Sequence, residues 1–339
     1  MTSETGLSGP DGASANAPAA ASETGLSGSW IDDGLTVQVA TGITLDYAEI
    51  GDPRDPTVLL IMGLSGQRIL WPRELVDALV EGGCHVVAHD NRDVGRSTVL
   101  DDAPVDLTTL TAAMNGHPFE PPYRLCDMAE DAVGLLDHLE IGQAHVVGVS
   151  MGGMIAQHLA FAHADRVKSL TSINSTPGMT PPAQPLTPRV EIPDPTPPTD
   201  PDEFVDWFTE GLRELSSRRY FDEAETRELA HAVHERGVHP GGNLRHLLAI
   251  LDDGDRTERL GHVTAPTLVL HGAEDPLVQP AAGEATTAAI PGARLRLFED
   301  MAHDLPLALV GAIAAELLAH VTAAERGDGP RARGDAVSG

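Results

Sequence analysis

Ser150 lies in a sequence pattern that could make its hydroxyl a nucleophile. Gly148-Val149-Ser150-Met151-Gly152 is a G-x-S-x-G pattern that follows an apolar run and precedes residues with helical spacing. A sharp turn from strand to helix would hold the serine in a strained backbone conformation, and glycine two residues to either side avoids a steric clash there. A serine hydroxyl is a weak nucleophile until a base takes its proton. The pattern therefore predicts a nucleophilic serine and requires a base and an acid elsewhere in the chain.

The base and the acid are predicted beyond two later apolar runs. Among fifteen histidines, His303 stands in "EDMAHDLP", in a loop after the last predicted strand. Asp275 follows "TLVLHG", and Pro276 stiffens the turn after it, whereas the adjacent Glu274 is the competing acid. An acid is needed to orient the histidine and to stabilise its protonated form. The order Ser150, Asp275, His303 is the triad order of α/β-hydrolases.

Two backbone amides are predicted to bind the oxyanion of such a reaction. The first is the N–H of Met151, directly after the nucleophile, and the second is the N–H of Leu64 in "IMGLSGQ". Gly63 would allow the backbone to approach the serine closely. Ser65 and Gln67 either line a pocket or belong to a surface loop.

The residues "HDNRDVGRS" at 89–97 follow another predicted strand and carry several charges. Asp90, Arg92 and Ser97 could contact a substrate, but a buried network of arginines and aspartates that braces the oxyanion loop is the favoured interpretation.

The elements that must position these residues are alternating apolar strands and amphipathic helices. "LTVQVA" and "ITLDYAEIG" predict a hairpin at a sheet edge. Continuous apolar runs predict buried strands at 57–63, 85–90, 144–150, 169–175, 267–272 and 293–299. Helical patterns are present in "PRELVDALVEGG", with Pro72 in its first turn, and in "DMAEDAVGLLDHLE", "GGMIAQHLAFAHADR" and "LALVGAIAAELLAHVTAAE". The fold class is therefore α/β, with a mostly parallel, doubly wound sheet.

The alternation stops between residues 176 and 262. A proline-dense strap at 177–201 is followed by three helical stretches near 202–217, 222–236 and 241–252, which predicts a helical cap. The core is assigned to 30–175 and 263–325. The segments 1–29 and 326–339 have the composition of disordered tails, and "SETGLSG" occurs twice in the first.

Composition excludes several classes of partner. The formal net charge of −29, with Lys168 as the only lysine, argues against nucleic acids and anionic membranes. No apolar run approaches the ~18 residues of a membrane span, and the first basic residue is Arg54, so we expect a cytoplasmic protein. Cys84 and Cys126 are too few for a disulfide scaffold and lack metal-ligand spacing.

Several separated motifs together resemble the α/β-hydrolase superfamily. They are "VLLIMGLSGQRILWP", "HDNRDVGRS", "PPYRLCDMAEDAVGLLDHLEI", "HVVGVSMGGMIAQHLA", "APTLVLHGAEDPL" and "MAHDLP", and the resemblance covers residues 35–320. Met62-Gly63, where many members carry His-Gly, and Asp93, where many carry Gly, resemble a branch that includes aclacinomycin methylesterase-like bacterial esterases. The resemblance implies a Ser-His-Asp hydrolase without a cofactor that acts on small esters.

Other reactions use the same three residues. A lactonase, a C–C bond hydrolase or a cofactor-free haloperoxidase or perhydrolase would need no change in the triad, and a ligand-binding module on a hydrolase scaffold is the alternative from another class. Trp207, Phe208, Tyr220 and Phe221 in the cap either line an apolar substrate pocket or pack the cap helices together.

Overall fold

A computed structural model describes residues 34–178 and 195–328 of the chain. The predicted tail at 1–29, most of the predicted tail at 326–339 and most of the proline-dense strap lie outside the described residues.

Within the described residues, eight strands form one sheet in the order β1-β2-β4-β3-β5-β6-β7-β8. The strands β1 and β2 form the predicted hairpin, in which Leu35 is paired with Tyr47, and β2 is also antiparallel to β4. All other neighbours are parallel. The predicted mostly parallel sheet is thus confirmed. The strands are β1 (Leu35–Gln38), β2 (Thr44–Ile50), β3 (Thr57–Ile61), β4 (His85–His89), β5 (Ala144–Val149), β6 (Val167–Ile173), β7 (Thr267–Gly272) and β8 (Arg294–Phe298).

Ten α-helices of the described residues cover both faces of this sheet or form the insertion. They are α1 (Arg73–Glu81), α2 (Leu107–Met114), α3 (Leu125–His138), α4 (Met151–Ala162), α5 (Pro201–Leu215), α6 (Glu223–Arg236), α7 (Pro240–Asp253), α8 (Thr257–Leu260), α9 (Pro280–Ala289) and α10 (Leu307–Arg326). The structure differs from the prediction at Pro72, which precedes α1 as its cap rather than standing in its first turn.

The central strands are buried on both faces, which explains their continuous apolar sequences. In β4, Val87 packs into the cluster beneath α3 and α4, while its neighbours Val86 and Ala88 pack into the cluster beneath α1 and α10. Every residue of β3 and β5 is buried. Because the sheet is parallel here, the carboxyl ends of these strands share one edge, and the loops that follow them meet there.

The expectation that no apolar segment approaches the length of a membrane span was wrong, because the last helix, α10, is long and apolar enough by length and composition alone. In the structure one side of it packs against the sheet and α1, with Val310, Ile313 and Leu317 buried in the core. The other side carries exposed residues and the half-buried Glu316, which forms ion pairs with Arg294 and Arg296. The packing of this helix follows the ordinary pattern of a core helix with one apolar side.

The insertion after β6 contains the three predicted helices α5, α6 and α7. Phe204 and Val205 of α5 pack with Ala230 and Val233 of α6, and this cluster also includes Ile69 of the core. Helix α7 packs instead against α2 through Leu244 and Leu248.

Candidate active site

Ser150 occupies the turn between β5 and α4 in a strained conformation. Its φ is 55° and its ψ is −120°, a region that non-glycine residues rarely adopt. A Cβ on Gly148 would lie 2.1 Å from the carbonyl oxygen of Gly152, and a Cβ on Gly152 would lie 2.1 Å from that of Ile61. Both glycines are therefore required by close backbone contacts, and the turn that they allow holds the serine at the carboxyl edge of the sheet.

His303 approaches Ser150 from the loop between β8 and α10. Its Nε2 lies 3.0 Å from Oγ of Ser150. The backbone N–H of His303 donates to the carbonyl of Leu215, at the end of α5, so the insertion helps to hold the loop. The histidine side chain is 9% exposed.

Asp275 lies behind His303 and is completely buried. Its Oδ2 accepts a hydrogen bond from Nδ1 of His303 at 2.7 Å. Its Oδ1 accepts the backbone N–H groups of Leu277 and Val278 at 2.9 and 2.8 Å. The carboxylate is thereby oriented from both sides. Glu274, the competing acid, is exposed to solvent.

These contacts determine which nitrogen of His303 carries the proton. A carboxylate oxygen can only accept, so Nδ1 donates to Asp275 and Nε2 is left to accept the proton of Ser150. Burial lowers the pKa of His303, but the charge of Asp275 and its hydrogen bond raise it, and the pKa ends above the ordinary histidine value. The arrangement provides a hydroxyl in contact with a base of raised proton affinity.

The two predicted oxyanion donors are the backbone amides of Met151, directly after Ser150, and of Leu64, in the turn that begins at Gly63. Among the described residues, none accepts a hydrogen bond from the N–H of Met151 or of Leu64. Gly63 lies against Ser150, since a Cβ there would be 3.1 Å from Cβ of Ser150. Leu64 occupies a tight turn that is closed by a hydrogen bond of 3.1 Å from Gly66 N–H to the Gly63 carbonyl.

A buried network of charges supports the segment after the oxyanion turn. Asp90 accepts from the backbone N–H of Arg68 at 2.7 Å and from Arg236 of α6 at 2.6 Å. Asp46 also accepts from both arginines, at 2.8 and 2.7 Å. Gln67, predicted to line a pocket or a surface loop, is instead buried and bonded to Arg236 at 2.9 Å. Asp90 thus belongs to a buried network of arginines and aspartates, which was the favoured interpretation over contact with a substrate.

The four aromatic residues that were predicted to line a substrate pocket contact other parts of the cap and one core loop. Phe204 packs with Trp207 and Phe208, at ring distances of 5.9 and 5.6 Å. The hydroxyl of Tyr220 is 3.4 Å from Oδ2 of Asp300, and the guanidinium of Arg213 covers the ring of Phe221. These contacts pack the cap helices, and a substrate-binding role of Trp207, Phe208, Tyr220 and Phe221 stays a prediction.

Asn174 is a site residue that sequence reasoning missed. It follows β6 with a φ of 47°, its Oδ1 accepts the N–H of Gly272 at 2.9 Å, and its Nδ2 donates to the carbonyl of Ala302 at 3.1 Å. It therefore ties together the two loops that carry Asp275 and His303. The available signal was an asparagine directly after a buried strand, a position where this residue type tolerates the left-handed conformation.

Comparisons with known proteins show the family of the chain. A family model described as the alpha/beta hydrolase fold matches residues 56–307. The chain is 31% identical to rhodomycin D methylesterase of Streptomyces peucetius over 83% of this chain and 96% of that protein. It is 27% identical to 3-oxoadipate enol-lactonase 2 of Acinetobacter baylyi over 74% and 82%. Among solved structures, the enol-lactonase of Burkholderia xenovorans has a TM-score of 0.64 and 23% identity, over 85% of this chain and all of that chain.

Proposed function

The chain belongs to the α/β hydrolase fold family and is a hydrolytic enzyme of the esterase type, and we propose that it cleaves a carboxylic ester through an acyl-enzyme on Ser150. The observation that carries the proposal is the continuous chain of contacts from Ser150 Oγ to His303 at 3.0 Å and from His303 to the buried Asp275 at 2.7 Å. This is the arrangement that nucleophilic catalysis by serine requires.

The first half of the reaction acylates Ser150. Its Oγ forms a bond to the carbonyl carbon of the ester while Nε2 of His303 takes the hydroxyl proton, and Asp275 stabilises the resulting imidazolium. The negative charge on the former carbonyl oxygen is bound by the N–H groups of Met151 and Leu64. The bond from carbon to the alcohol oxygen then breaks, and the alcohol leaves with the proton held on His303.

Water completes the reaction by the same route. His303 takes a proton from the water, whose oxygen attacks the acyl carbon, and the oxyanion again forms between the two amides. Collapse of this intermediate breaks the bond to Oγ, which recovers its proton from His303. The free acid leaves, and the enzyme returns to its starting state without a cofactor.

The substrate that we propose first is the methyl ester of a small organic acid. The similarity to a rhodomycin D methylesterase along almost all of that protein's length supports this class. A lactone is the second candidate, because an enol-lactonase is also similar over most of its length. In a lactone the leaving alcohol stays attached to the acyl group, and the steps at Ser150 are otherwise the same.

The test compares the wild-type enzyme with Ser150→Ala on a panel of methyl esters, lactones and p-nitrophenyl esters of increasing acyl length. A fluorophosphonate should label Ser150 of the wild-type enzyme, and Ser150→Ala should lose both labelling and turnover. Matched circular dichroism spectra and melting temperatures would show that the variant is folded. Retention of most activity by Ser150→Ala would refute the proposed nucleophile, and faster turnover of lactones than of methyl esters would replace the first substrate class by the second.

A further inference from the structure

We infer that helix α7 of the insertion positions the oxyanion loop, with His246 and Asn243 as the positioning residues that hold Ser65. The inference rests on the proposed function, because it assigns a purpose to the Leu64 amide as an oxyanion donor. It goes further by making the insertion part of the catalytic apparatus as well as a cover over it.

The oxyanion turn contains a serine in a conformation that must be held from outside. Ser65 has a φ of 51°, in the left-handed region that glycine favours. The turn around it is Gly63-Leu64-Ser65-Gly66, and the single backbone bond across it joins Gly66 N–H to the Gly63 carbonyl. Because the peptide unit is planar and trans, the Gly63 carbonyl and the Leu64 N–H point in opposite directions. The carbonyl is bonded inside the turn, so the Leu64 N–H points outward.

His246 fixes the next peptide unit of the turn. Its Nδ1 accepts the backbone N–H of Ser65 at 3.2 Å, and its Nε2 lies 2.9 Å from the carbonyl oxygen of Arg92. A carbonyl only accepts, so the proton is on Nε2 and Nδ1 keeps its lone pair for Ser65. His246 is completely buried, and burial lowers the pKa of its ring to about 4, which is consistent with a neutral imidazole.

Asn243 holds the side chain of the same serine. Oδ1 of Asn243 accepts a hydrogen bond of 2.7 Å from the hydroxyl of Ser65. Nδ2 of Asn243 donates to the carbonyl of Pro195. Asn243 and His246 stand three residues apart on α7, so they project from the same side of the helix. One helix face therefore holds both the backbone and the side chain of Ser65.

Helix α7 is itself anchored firmly on the core. The guanidinium of Arg245 binds both oxygens of Asp93 at 2.8 and 2.7 Å, and both side chains are buried. The hydroxyl of Tyr123 donates to the same carboxylate at 2.5 Å. At Gly242 a Cβ would lie 2.5 Å from the carbonyl oxygen of Asp93, so helix and loop are in close backbone contact. A two-oxygen pairing of this kind fixes orientation as well as distance.

Two substitutions at His246 separate its two hydrogen bonds. The carboxamide of His246→Asn puts an oxygen near the position of Nδ1 and can still accept from Ser65. The carboxamide of His246→Gln reaches the position of Nε2 and can still donate to the carbonyl of Arg92. This variant leaves the Ser65 N–H without its acceptor. The matched control is His320→Gln, since His320 is also buried with a pKa of about 4 and its Nε2 donates to a backbone carbonyl, that of Leu170 in β6.

The variants are compared by kcat and KM on a p-nitrophenyl ester and by inhibition with a trifluoromethyl ketone, which forms an oxyanion on the serine. All rates are normalised to the sites that a fluorophosphonate titrates. Loss of a whole oxyanion donor lowers kcat by a factor of roughly 10²–10³. In His246→Gln the Leu64 amide should be displaced but still present, so we expect kcat to fall about 10–100-fold. The affinity for the trifluoromethyl ketone should fall by a similar factor. KM should change little, and His246→Asn should recover most of the loss. His320→Gln should lower the melting temperature alone.

Ser65→Gly gives an independent measurement if the His246 variants do not fold. Glycine adopts the positive φ readily, so the fold should survive, while the bond to Asn243 is lost and the turn gains freedom. We expect kcat and ketone affinity to fall together by a factor of about 3–10, a fraction of the loss of a whole donor. The inference would be overturned if kcat per titrated site and ketone affinity stayed within twofold of wild type in His246→Gln or in Ser65→Gly. An equal loss in His246→Asn and His246→Gln would also overturn it. Failure of the fluorophosphonate to label wild-type Ser150 would instead refute the proposed function.

Discussion

Replacing Asp275 by asparagine should reverse the direction of the hydrogen bond between His303 and Ser150. The Oδ1 of Asp275 accepts two backbone N–H groups, from Leu277 and Val278. Only the oxygen of an asparagine can accept them, so its NH₂ group must face Nδ1 of His303. That nitrogen then has to accept, and the proton moves to Nε2, which faces Ser150 at 3.0 Å. The base would present a proton where it needs a lone pair.

The expected loss in kcat is about 10⁴-fold, by analogy with the same change in other serine triads. This corresponds to roughly 5.5 kcal/mol of transition-state stabilisation. The fold should persist, because the volume and the two backbone hydrogen bonds at position 275 are retained. Hydrolysis of a p-nitrophenyl ester gives kcat, and urea unfolding of the same preparation gives the stability of the variant.

Glu274→Gln is the matched control for this substitution. It makes the same chemical change one residue away, at a side chain that is exposed to solvent. Its kcat should stay within about twofold of wild type, as expected for a surface site outside the triad. The reasoning is wrong if folded Asp275→Asn keeps a tenth or more of the wild-type kcat, or if Glu274→Gln loses as much.

Three further outcomes follow from the described contacts. Because the pKa of His303 is raised and only its neutral form can accept the serine proton, kcat/KM should fall as pH decreases, with an apparent pKa above 6.5; an acid limb below 6.5 would contradict this. Arg236→Met should reduce the free energy of unfolding by about 3–5 kcal/mol in urea titrations, since it leaves the buried Asp46 and Asp90 with less compensation; a loss under 1 kcal/mol would count against the network. Gly152→Ala should abolish soluble folded protein, because its Cβ would lie 2.1 Å from a backbone oxygen, whereas Gly211→Ala, in open space on α5, should raise stability by about 0.5–1 kcal/mol in thermal melts.

The sheet, and the loops that bring Ser150, Asp275 and His303 together, could be predicted from the sequence because their signals are local. A strand buried on both faces is a continuous apolar run, and Ser150 directly follows such a run at a turn marked by glycine. Asp275 and His303 lie in the loops that follow β7 and β8. The predicted burial of β8 was wrong, because Arg294 and Arg296 in it are exposed. The predicted strands from 57 to 299 agree with β3 to β8 within a few residues. The predicted helices of the insertion agree equally well with α5, α6 and α7.

Three short helices were missed: α8 has only four residues, and the sequences of α2 and α9 lack a clear amphipathic pattern. Helix α2, "LTTLTAAM", is rich in threonine, and α9, "PAAGEATTAA", is composed mainly of small residues. Such segments carry neither the period nor the strong helix formers on which prediction depends.

Contacts between the insertion and the oxyanion turn could not be predicted. Ser65 and His246 are 181 residues apart, and nothing near either residue in the sequence indicates the other. Gln67 was assigned to a pocket or a surface loop, yet it is buried and donates to the carbonyl of Val233 in α6. Such pairs depend on how the insertion returns to the core, which a single sequence does not encode in any local pattern.

The anchoring of α6 and α7 also sets where this enzyme can be recombined with its relatives. A chimera that exchanged the whole segment from 176 to 262 would remove Arg236 and Arg245 together, and it would leave three buried aspartates without their principal cations. If the exchanged segment ended before Arg236, both arginines and the aspartates that they bind would come from the same parent protein. New substrate preferences should therefore be easier to graft through α5 and the first turns of α6 than through the insertion as a unit.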